Sequence, residues 1–511
     1  MKKVAKTKKK WAFPTAYTVL LIVLLLVMIL TYLMPSGKYA SLAFNEEEKN
    51  FTIVEPNGKT KTEPGTQATL EKYHIKIDLS RFEDGSVYKP VAIPDTYKPL
   101  KKENTGIMGA VTSFLDAPIK GLAESIDVIT FVLILGGLVG VINKTGAFAA
   151  GMAALSSKLK GKEAWLIVIV TSLVSLGGTT FGMAEETIAF YPILVPVFMA
   201  AGYDALVAIA AIYLGSSIGT MGSTVNPFSV VIASNTAGIN FTDGINLRFI
   251  LLILGTAMCI FYTIRYAEKV KKDPTKSLIY SQKAELEKEF LYQQEGTDAP
   301  KFDFRKKLML IVFAMGFVVM VYSVKELGWF FTEISMLFLF ITFVLAFISG
   351  LSEKDFANEF VAGAADLLGT GLTIALARGV TIIMEDAQIS DTLLYWLSNS
   401  VSHMSGVLFT TVMFFVFILL GFFIPSSSGL AVLSMPIMAP LADVVGIPRD
   451  TIVTAYNWGQ GIIAFITPTG LVLASLAMVN ITFDKWVKFV TPLMVAIGVL
   501  AILLLGISVY I

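Results

Sequence analysis

LGGTTFGMAEETIAFYPILVPVFM, residues Leu176 to Met199, is the stretch whose reading decides the fold. It lies in a long apolar run, yet it holds paired glycines, paired threonines and two adjacent carboxylates, Glu185 and Glu186. A lipid-facing helix has no use for such a centre. Backbone that leaves the helix at membrane depth is tolerated only where protein or a water-filled cavity surrounds it. Ionisable groups at that depth mark a substrate or ion pathway. A second stretch of the same character, GFFIPSSSGLAVLSMPIMAPL, runs from Gly421 to Leu441. The two read as halves of one transport site.

Composition agrees with that placement. Of 511 residues, 55% are hydrophobic and 15% charged, where soluble domains average about 25% charged. The chain therefore reads as a polytopic membrane protein. A net charge of +1 gives no reason to expect a nucleic-acid partner. The single cysteine, Cys259, sits in an apolar run and excludes an intrachain disulfide or a thiolate metal cluster. His74 and His403, the two histidines, lie outside the apolar runs, so neither a histidine metal site nor any cofactor is expected. There is no Walker A lysine motif, which argues against ATP-driven transport, and GTMG at Gly219 to Gly222 lacks the Lys-Ser/Thr of a phosphate loop. No motif supports an enzyme.

In chain order, residues 1–34 hold the first span, too long for a signal peptide, and its basic flank MKKVAKTKKKW places the N-terminus in the cytoplasm. Residues 35–105 form a polar extracytoplasmic loop, expected as a small cap. Residues 106–264 make a first repeat. It opens with an amphipathic segment from Ile107 to Ser125, a crossing from Asp127 to Ile142 and an interfacial arm from Phe148 to Leu159. A re-entrant hairpin of two half-length helices is expected over 165–199, then a broken helix over 205–233, interrupted at LGSSIGTMGSTVNPF, and a return crossing. Residues 265–307 form a charged linker whose KVKKDP and FRKK place it in the cytoplasm. Residues 308–511 repeat the plan, with a second hairpin over 407–441 and a second broken helix over 451–478, interrupted at YNWGQGIIAFITPTG.

Sliding the chain on itself supports the repeat. The offset of 244 that carries Pro192 onto Pro436 also pairs Gly177 with Gly421, Pro196 with Pro440, Gly202 with Gly446, Gly215 with Gly459 and Ala233 with Ala477. One hairpin enters from inside and the other from outside, so the repeats are inverted. Paired Gly/Pro-interrupted segments in corresponding halves point to a transporter's binding site. The expected fold is all-α and polytopic, with two inverted repeats, each holding a re-entrant hairpin and a broken transmembrane helix.

Glu185 and Glu186 lead the candidate site: one can face a substrate ammonium or guanidinium while the other carries a proton, since neighbouring carboxylates in a dry pocket resist double ionisation. The competing reading is that one of them caps the second half-helix. Arg378, in IALARGV, can take a substrate carboxylate bidentately or serve as a structural partner of Glu185, Glu186 or Asp366. Glu385 and Asp386 read as an external rim that attracts cations, and Asp443 and Arg449 as structural. Thr179, Thr180, Ser223, Thr224 and Asn226, with Ser426, Ser427, Ser428, Asn457, Thr467 and Thr469, supply neutral oxygens and amides for substrate or ion. Each alone can instead be satisfying broken backbone. Tyr191, Tyr456 and Trp458 read as packing, or as a stack for a guanidinium.

Four segments carry a family resemblance: GGTTFGMAEETIAFYPILVPVF, GSSIGTMGSTVNPFSVVIASNTAGI, FFIPSSSGLAVLSMPIMAPLAD and YNWGQGIIAFITPTGLVLASLAM. They resemble the YfcC group of the C4-dicarboxylate anaerobic carrier-like family, within the ion transporter superfamily, and are similar to bacterial arginine/ornithine antiporters. The resemblance runs from FPTAYTVLL to the last span. It implies a multi-pass, homodimeric carrier of the bacterial inner membrane, working by an elevator movement of a transport domain against a scaffold. On that footing the expected function is a secondary amino-acid transporter, a basic amino-acid antiporter of arginine/ornithine type. Glu185 and Glu186 would face the cationic side chain, and the polar tips with Arg378 the α-carboxyl and α-amino ends. The alternative is a proton- or sodium-coupled carrier of C4-dicarboxylates or other organic acids, against which the two glutamates would repel a dianion unless protonated. Superfamily members of known fold carry Ser-Asn-Thr triplets at the hairpin tips. This sequence departs from them, with Gly178-Thr179-Thr180 and Ser426-Ser427-Ser428. Sodium coupling is therefore not carried over, and an exchanger needs no coupling ion, H+ or Na+. The mirrored hairpins speak against a receptor or an ion channel.

Overall fold

The computed structural model describes residues 14–75, 77–83, 87, 90–102, 106–148, 150–151, 154, 162–291, 302–327, 329, 331–401, 404 and 406–510. His403 and most of the expected arm from Phe148 to Leu159 lie outside the described residues. The chain is mostly helical. In the first half α1 (Ala16–Leu33) is followed by α2 (Ile107–Glu124), α3 (Ile126–Thr145), α4 (Ala164–Phe181), α5 (Tyr191–Ala200), α6 (Ala205–Met221), α7 (Ile232–Ala237) and α8 (Ile245–Lys272). In the second half come α9 (Phe304–Leu327), α10 (Phe331–Ser349), α11 (Glu353–Asp366), α12 (Leu368–Asp386), α13 (Ser390–Val401), α14 (Gly406–Phe423), α15 (Ser427–Val444), α16 (Arg449–Ala464), α17 (Val472–Ala477) and α18 (Phe483–Ser508). Among the described residues six helical stretches are long and apolar enough to cross a membrane.

Small residues decide which helices meet. A Cβ on Gly121 of α2 would fall on the Ala375 carbonyl of α12 and 2.9 Å from the Gly379 nitrogen. A Cβ on Gly363 of α11 would fall on the Gly136 carbonyl of α3 and 3.0 Å from the Gly140 Cα. Backbones approach this closely only where side chains are missing, which lets helices pack where lipid offers no hydrophobic drive. α4 and α6 meet the same way, with Gly215 against Thr171 and Val174. So do α14 and α16, with Gly459 against Phe414, Phe417 and Ile418. Gly215 and Gly459 are the pair that the 244-residue offset relates.

Both broken helices open at the stretches expected to interrupt them, 214–228 and 456–470, but only in the later part of each. Gly215, Ser216, Ser217 and Gly219 were expected to interrupt a helix, but they lie within α6, and the interruption falls at residues 222–226. Likewise α16 runs through Asn457, Gly459 and Gly461 to Ala464 before the chain opens over 465–471. The glycines there serve close approach: a Cβ on Gly219 would lie 2.9 Å from the Ser175 Cα, and one on Gly461 2.6 Å from the Met221 Cβ. The hairpin arms are also longer than half-spans. α4, α14 and α15 have 18 residues each, roughly 27 Å at 1.5 Å per residue.

The segment between α1 and α2 corrects the all-α expectation. It holds β1 (Gly37–Lys38), β2 (Ser41–Asn45), β3 (Asn50–Val54), β4 (Thr60–Pro64), β5 (Val91–Ala92) and β6 (Lys98–Pro99). Four of the strands form an antiparallel sheet in the order β4-β3-β2-β5, and β1 and β6 form a separate antiparallel pair. Phe51 and Ile53 alternate into a small core with Leu42, Leu70, Phe82 and Val91. This unit rests on α13: the Tyr39 N–H donates to Asp391 at 2.8 Å, and Tyr97 stacks on Tyr395 with centroids 4.2 Å apart. It also touches α15, where His74 and Ile75 lie beside Met435 and Pro436.

Candidate functional site

Where the four interruptions converge, the fold encloses a cavity of about 490 Å³. Its walls are the turn between α4 and α5, the middle of α6, one face of α12, the turn between α14 and α15, and the open stretch between α16 and α17. A larger crevice of about 740 Å³ between α4, α5 and α9 is almost wholly apolar, floored by Phe190, Phe313 and Phe317. The polar chemistry is in the first.

The turn after α4 exists because Gly182 takes a left-handed conformation, φ +76°, that ends the helix. A short 3-10 helix, Glu185–Phe190, then leads into α5. Ser216 of α6 holds the turn from below, its hydroxyl donating to the Met183 carbonyl at 2.6 Å. The Asn226 amide donates to the Gly178 carbonyl at 3.1 Å. Glu185 is exposed to the cavity and Glu186 half-exposed. A Glu186 oxygen accepts the Ala184 N–H at 3.1 Å, so this carboxylate caps its own turn while it lines the cavity.

The opposite turn is built alike. Ser426 caps α15, its hydroxyl accepting the Gly429 N–H at 3.2 Å. The start of this 18-residue helix opens on the cavity through Ser426, Ser427 and Ser428. α16 braces it: the Tyr456 hydroxyl donates to the Ser427 carbonyl at 2.6 Å, and the Gln460 amide to the Pro425 carbonyl at 3.3 Å. Thr467 and Thr469 bond each other at 2.8 Å, and Thr469 donates to the Phe422 carbonyl at 3.1 Å. Helix N-terminal ends attract anions through their free N–H groups and dipole.

The structure thus gathers Glu185, Glu186, Asn226, Arg378, Ser426, Ser427, Ser428, Thr467 and Thr469 around one cavity. It sets the other candidates behind the wall. The Thr179 hydroxyl donates to the Gly222 carbonyl at 2.9 Å and accepts the Thr224 N–H at 3.0 Å. Thr180 donates to Leu176 in its own helix, and Ser223 to Thr220. Asn457 joins the two broken helices, its amide donating to the Met221 carbonyl at 2.8 Å while its oxygen accepts from Ser229. These five tie down interrupted backbone.

Arg378 has a partner that sequence reasoning did not name. It pairs with neither hairpin glutamate nor Asp366: its Nε and Nη2 reach Glu124 of α2 at 2.8 and 2.7 Å. Asp386, read as part of a rim that attracts cations, accepts from Lys120 at 2.9 Å. Arg449 binds Asp443 at 2.7 Å. Tyr191, Tyr456 and Trp458 are core; the aromatic side chain that α6 presents to the cavity is Tyr213. Ser216, Ser217 and Gln460 also line it and were missed, although the 244 offset relates Ser216 to Gln460 and could have drawn attention to both.

A family model described as DcuC, C4-dicarboxylate anaerobic carrier, matches residues 13–510. The chain belongs to the DcuC family. It is therefore a member of a family of carriers. It is 47% identical over 505 residues to an uncharacterised Haemophilus influenzae protein, covering 99% of this chain and 98% of that one. It is 28% identical over 502 residues to Escherichia coli K12 YfcC, named as a candidate basic amino acid antiporter, covering 95% and 94%. Among solved structures it has a TM-score of 0.40 to the Alcanivorax borkumensis YdaH transporter, at 14% identity, covering 97% of this chain and 98% of that one. The TM-score to Neisseria gonorrhoeae MtrF, an antimetabolite efflux pump, is 0.39 at 15% identity, covering 98% and 96%.

Proposed function

We propose that this DcuC-family member is a secondary transporter that exchanges basic amino acids of the arginine/ornithine type. The observation that carries the reading is the charge layout of the cavity. Glu185 and Glu186 form one wall, Asp127 adds to the negative potential at Glu185, and the only arginine lining the cavity among the described residues is already bound by Glu124. The N-terminal end of α15 lines the same cavity. A cationic side chain suits the first wall, and an α-carboxylate suits the second. The likeness to YfcC, named for basic amino acids, points the same way.

The two halves act as inverted repeats in this reading. Support comes from the mirrored contacts: Gly215 with Gly459, Asn226 on Gly178 with Thr469 on Phe422, and Ser216 on Met183 with Gln460 on Pro425. Glycines at left-handed φ, +88° at Gly202 and +73° at Gly446, follow the second helix of each hairpin. Alternating access is then an elevator movement of the hairpins against α2, α3, α11 and α12. The cytoplasmic N-terminus rests on the basic flank, and the inner-membrane location and the homodimer on the resemblance.

Transport of C4-dicarboxylates is the second reading, favoured by the description of the family model. Labelled arginine offered to proteoliposomes preloaded with ornithine, buffer or succinate separates them. Accumulation that requires internal ornithine is expected. No arginine uptake, with succinate moved by a proton or sodium gradient, would leave the dicarboxylate reading standing.

A further inference from the structure

We propose that Glu124 excludes anionic substrates, by keeping Arg378 neutralised at the cavity wall; this rests on the cationic-substrate reading above. An unengaged arginine lining a transport cavity is a carboxylate receptor, because its planar fork matches two oxygens at once. Here the fork is occupied. Nε and Nη2 of Arg378 both converge on Oε2 of Glu124, at 2.8 and 2.7 Å. The approach is built into the backbone. Gly121 lies one turn before Glu124 and Gly379 directly after Arg378, and these glycines bring α2 against α12. Any side chain at either position would part the helices and break the pair. The nearby charges of the same two helices are otherwise engaged, since Lys120 takes both Asp116 and Asp386 at 2.9 Å.

The arrangement filters by charge. An incoming dicarboxylate has to displace Glu124 from Arg378, leaving that carboxylate unpaired beside a cavity that already holds Glu185 and Glu186. A basic amino acid has no need of Arg378, because its carboxylate has the α15 end and its side chain the two glutamates. Glu124→Gln removes the competitor and frees the fork, leaving the Arg378 charge at the cavity wall uncompensated. The side chains of Arg378 and Glu124 are 36% and 45% exposed, so solvent screens the pair, and the expected gain is about fivefold.

The test uses the purified full-length protein and two readouts. One is thermal stabilisation by succinate and by aspartate; the other is inhibition of arginine/ornithine exchange by the same anions. Glu124→Gln should bind succinate about fivefold more tightly than wild type. The double variant Glu124→Gln with Arg378→Gln should lose that gain, and Glu124→Asp should exclude succinate as wild type does. Unchanged anion binding in Glu124→Gln overturns the proposal, and so does a gain that survives in the double variant, because Arg378 is then not the receptor. Should Glu124→Gln not fold, the reversed pair Glu124→Arg with Arg378→Glu keeps the bond; succinate binding by that protein overturns the proposal, and exclusion supports it. Wild type that binds succinate more tightly than arginine overturns both this proposal and the cationic reading. Wild type that neither exchanges arginine nor binds succinate removes the cationic reading alone, and the Glu124→Gln gain still decides the filter.

Discussion

Replacing Glu185 with glutamine tests the charge layout most directly. The substitution keeps the shape, removes the charge and turns one acceptor oxygen into an amide donor. Glu185 faces the cavity, so the turn between α4 and α5 has little reason to rearrange. Hydrogen bonds to a charged group contribute about 1.5–3 kcal/mol; at about 1.4 kcal/mol per decade this is roughly 10- to 150-fold in affinity for a guanidinium or ammonium substrate. Glu186→Gln should lose less, because one of its oxygens is engaged by the Ala184 N–H at 3.1 Å and the amide oxygen of glutamine can accept that bond as well. The assay is exchange in proteoliposomes at graded external arginine, with citrulline, the neutral isostere, as competitor. Arginine should lose its advantage over citrulline in Glu185→Gln while citrulline itself competes as before. An arginine-to-citrulline preference that stays at the wild-type level in both glutamine variants would refute the counter-ion role of this wall.

Two further substitutions probe the frame that holds the cavity. Gly219→Val places a branched side chain against the Ser175 backbone, where a Cβ already comes within 2.9 Å of Cα. Forcing α4 from α6 should cost about 1–3 kcal/mol, read as a lower thermal unfolding midpoint in detergent; a wild-type midpoint would mean the contact yields. Tyr456→Phe removes the 2.6 Å bond to the Ser427 carbonyl and leaves that acceptor unanswered, at about 1 kcal/mol. It should raise the KM for arginine a few-fold with little change in maximal rate, and a change confined to the rate would place Tyr456 in the movement rather than in the seat of the carboxylate.

What could be read from the chain, and what could not, follows from how far apart the deciding atoms lie. Breaks were legible where chemistry is local: Gly182 ends α4 by its own φ, and Ser426 caps α15 through a hydroxyl three residues from its partner. The offset of 244 was legible because a glycine needed for close approach in one half is needed again in the other, as at Gly215 and Gly459. The same need explains the misplaced interruptions. GSSIG reads as a helix breaker by propensity, but in lipid small residues are what allow two helices to touch, so tertiary contact overrode local preference and moved the opening to 222–226. The strands of the loop left only a short trace, the alternation of Phe51 and Ile53, too brief to register beside charged neighbours. Glu124 left none. It sits on an amphipathic helix among ordinary surface charges, and its partner is 254 residues away. Only the crossing of α2 and α12, set by Gly121 and Gly379, turns that glutamate from a surface charge into the counter-ion of the cavity's arginine. The helices cross at the glycines whatever stands at 124, while the charge beside Arg378 depends on that one side chain.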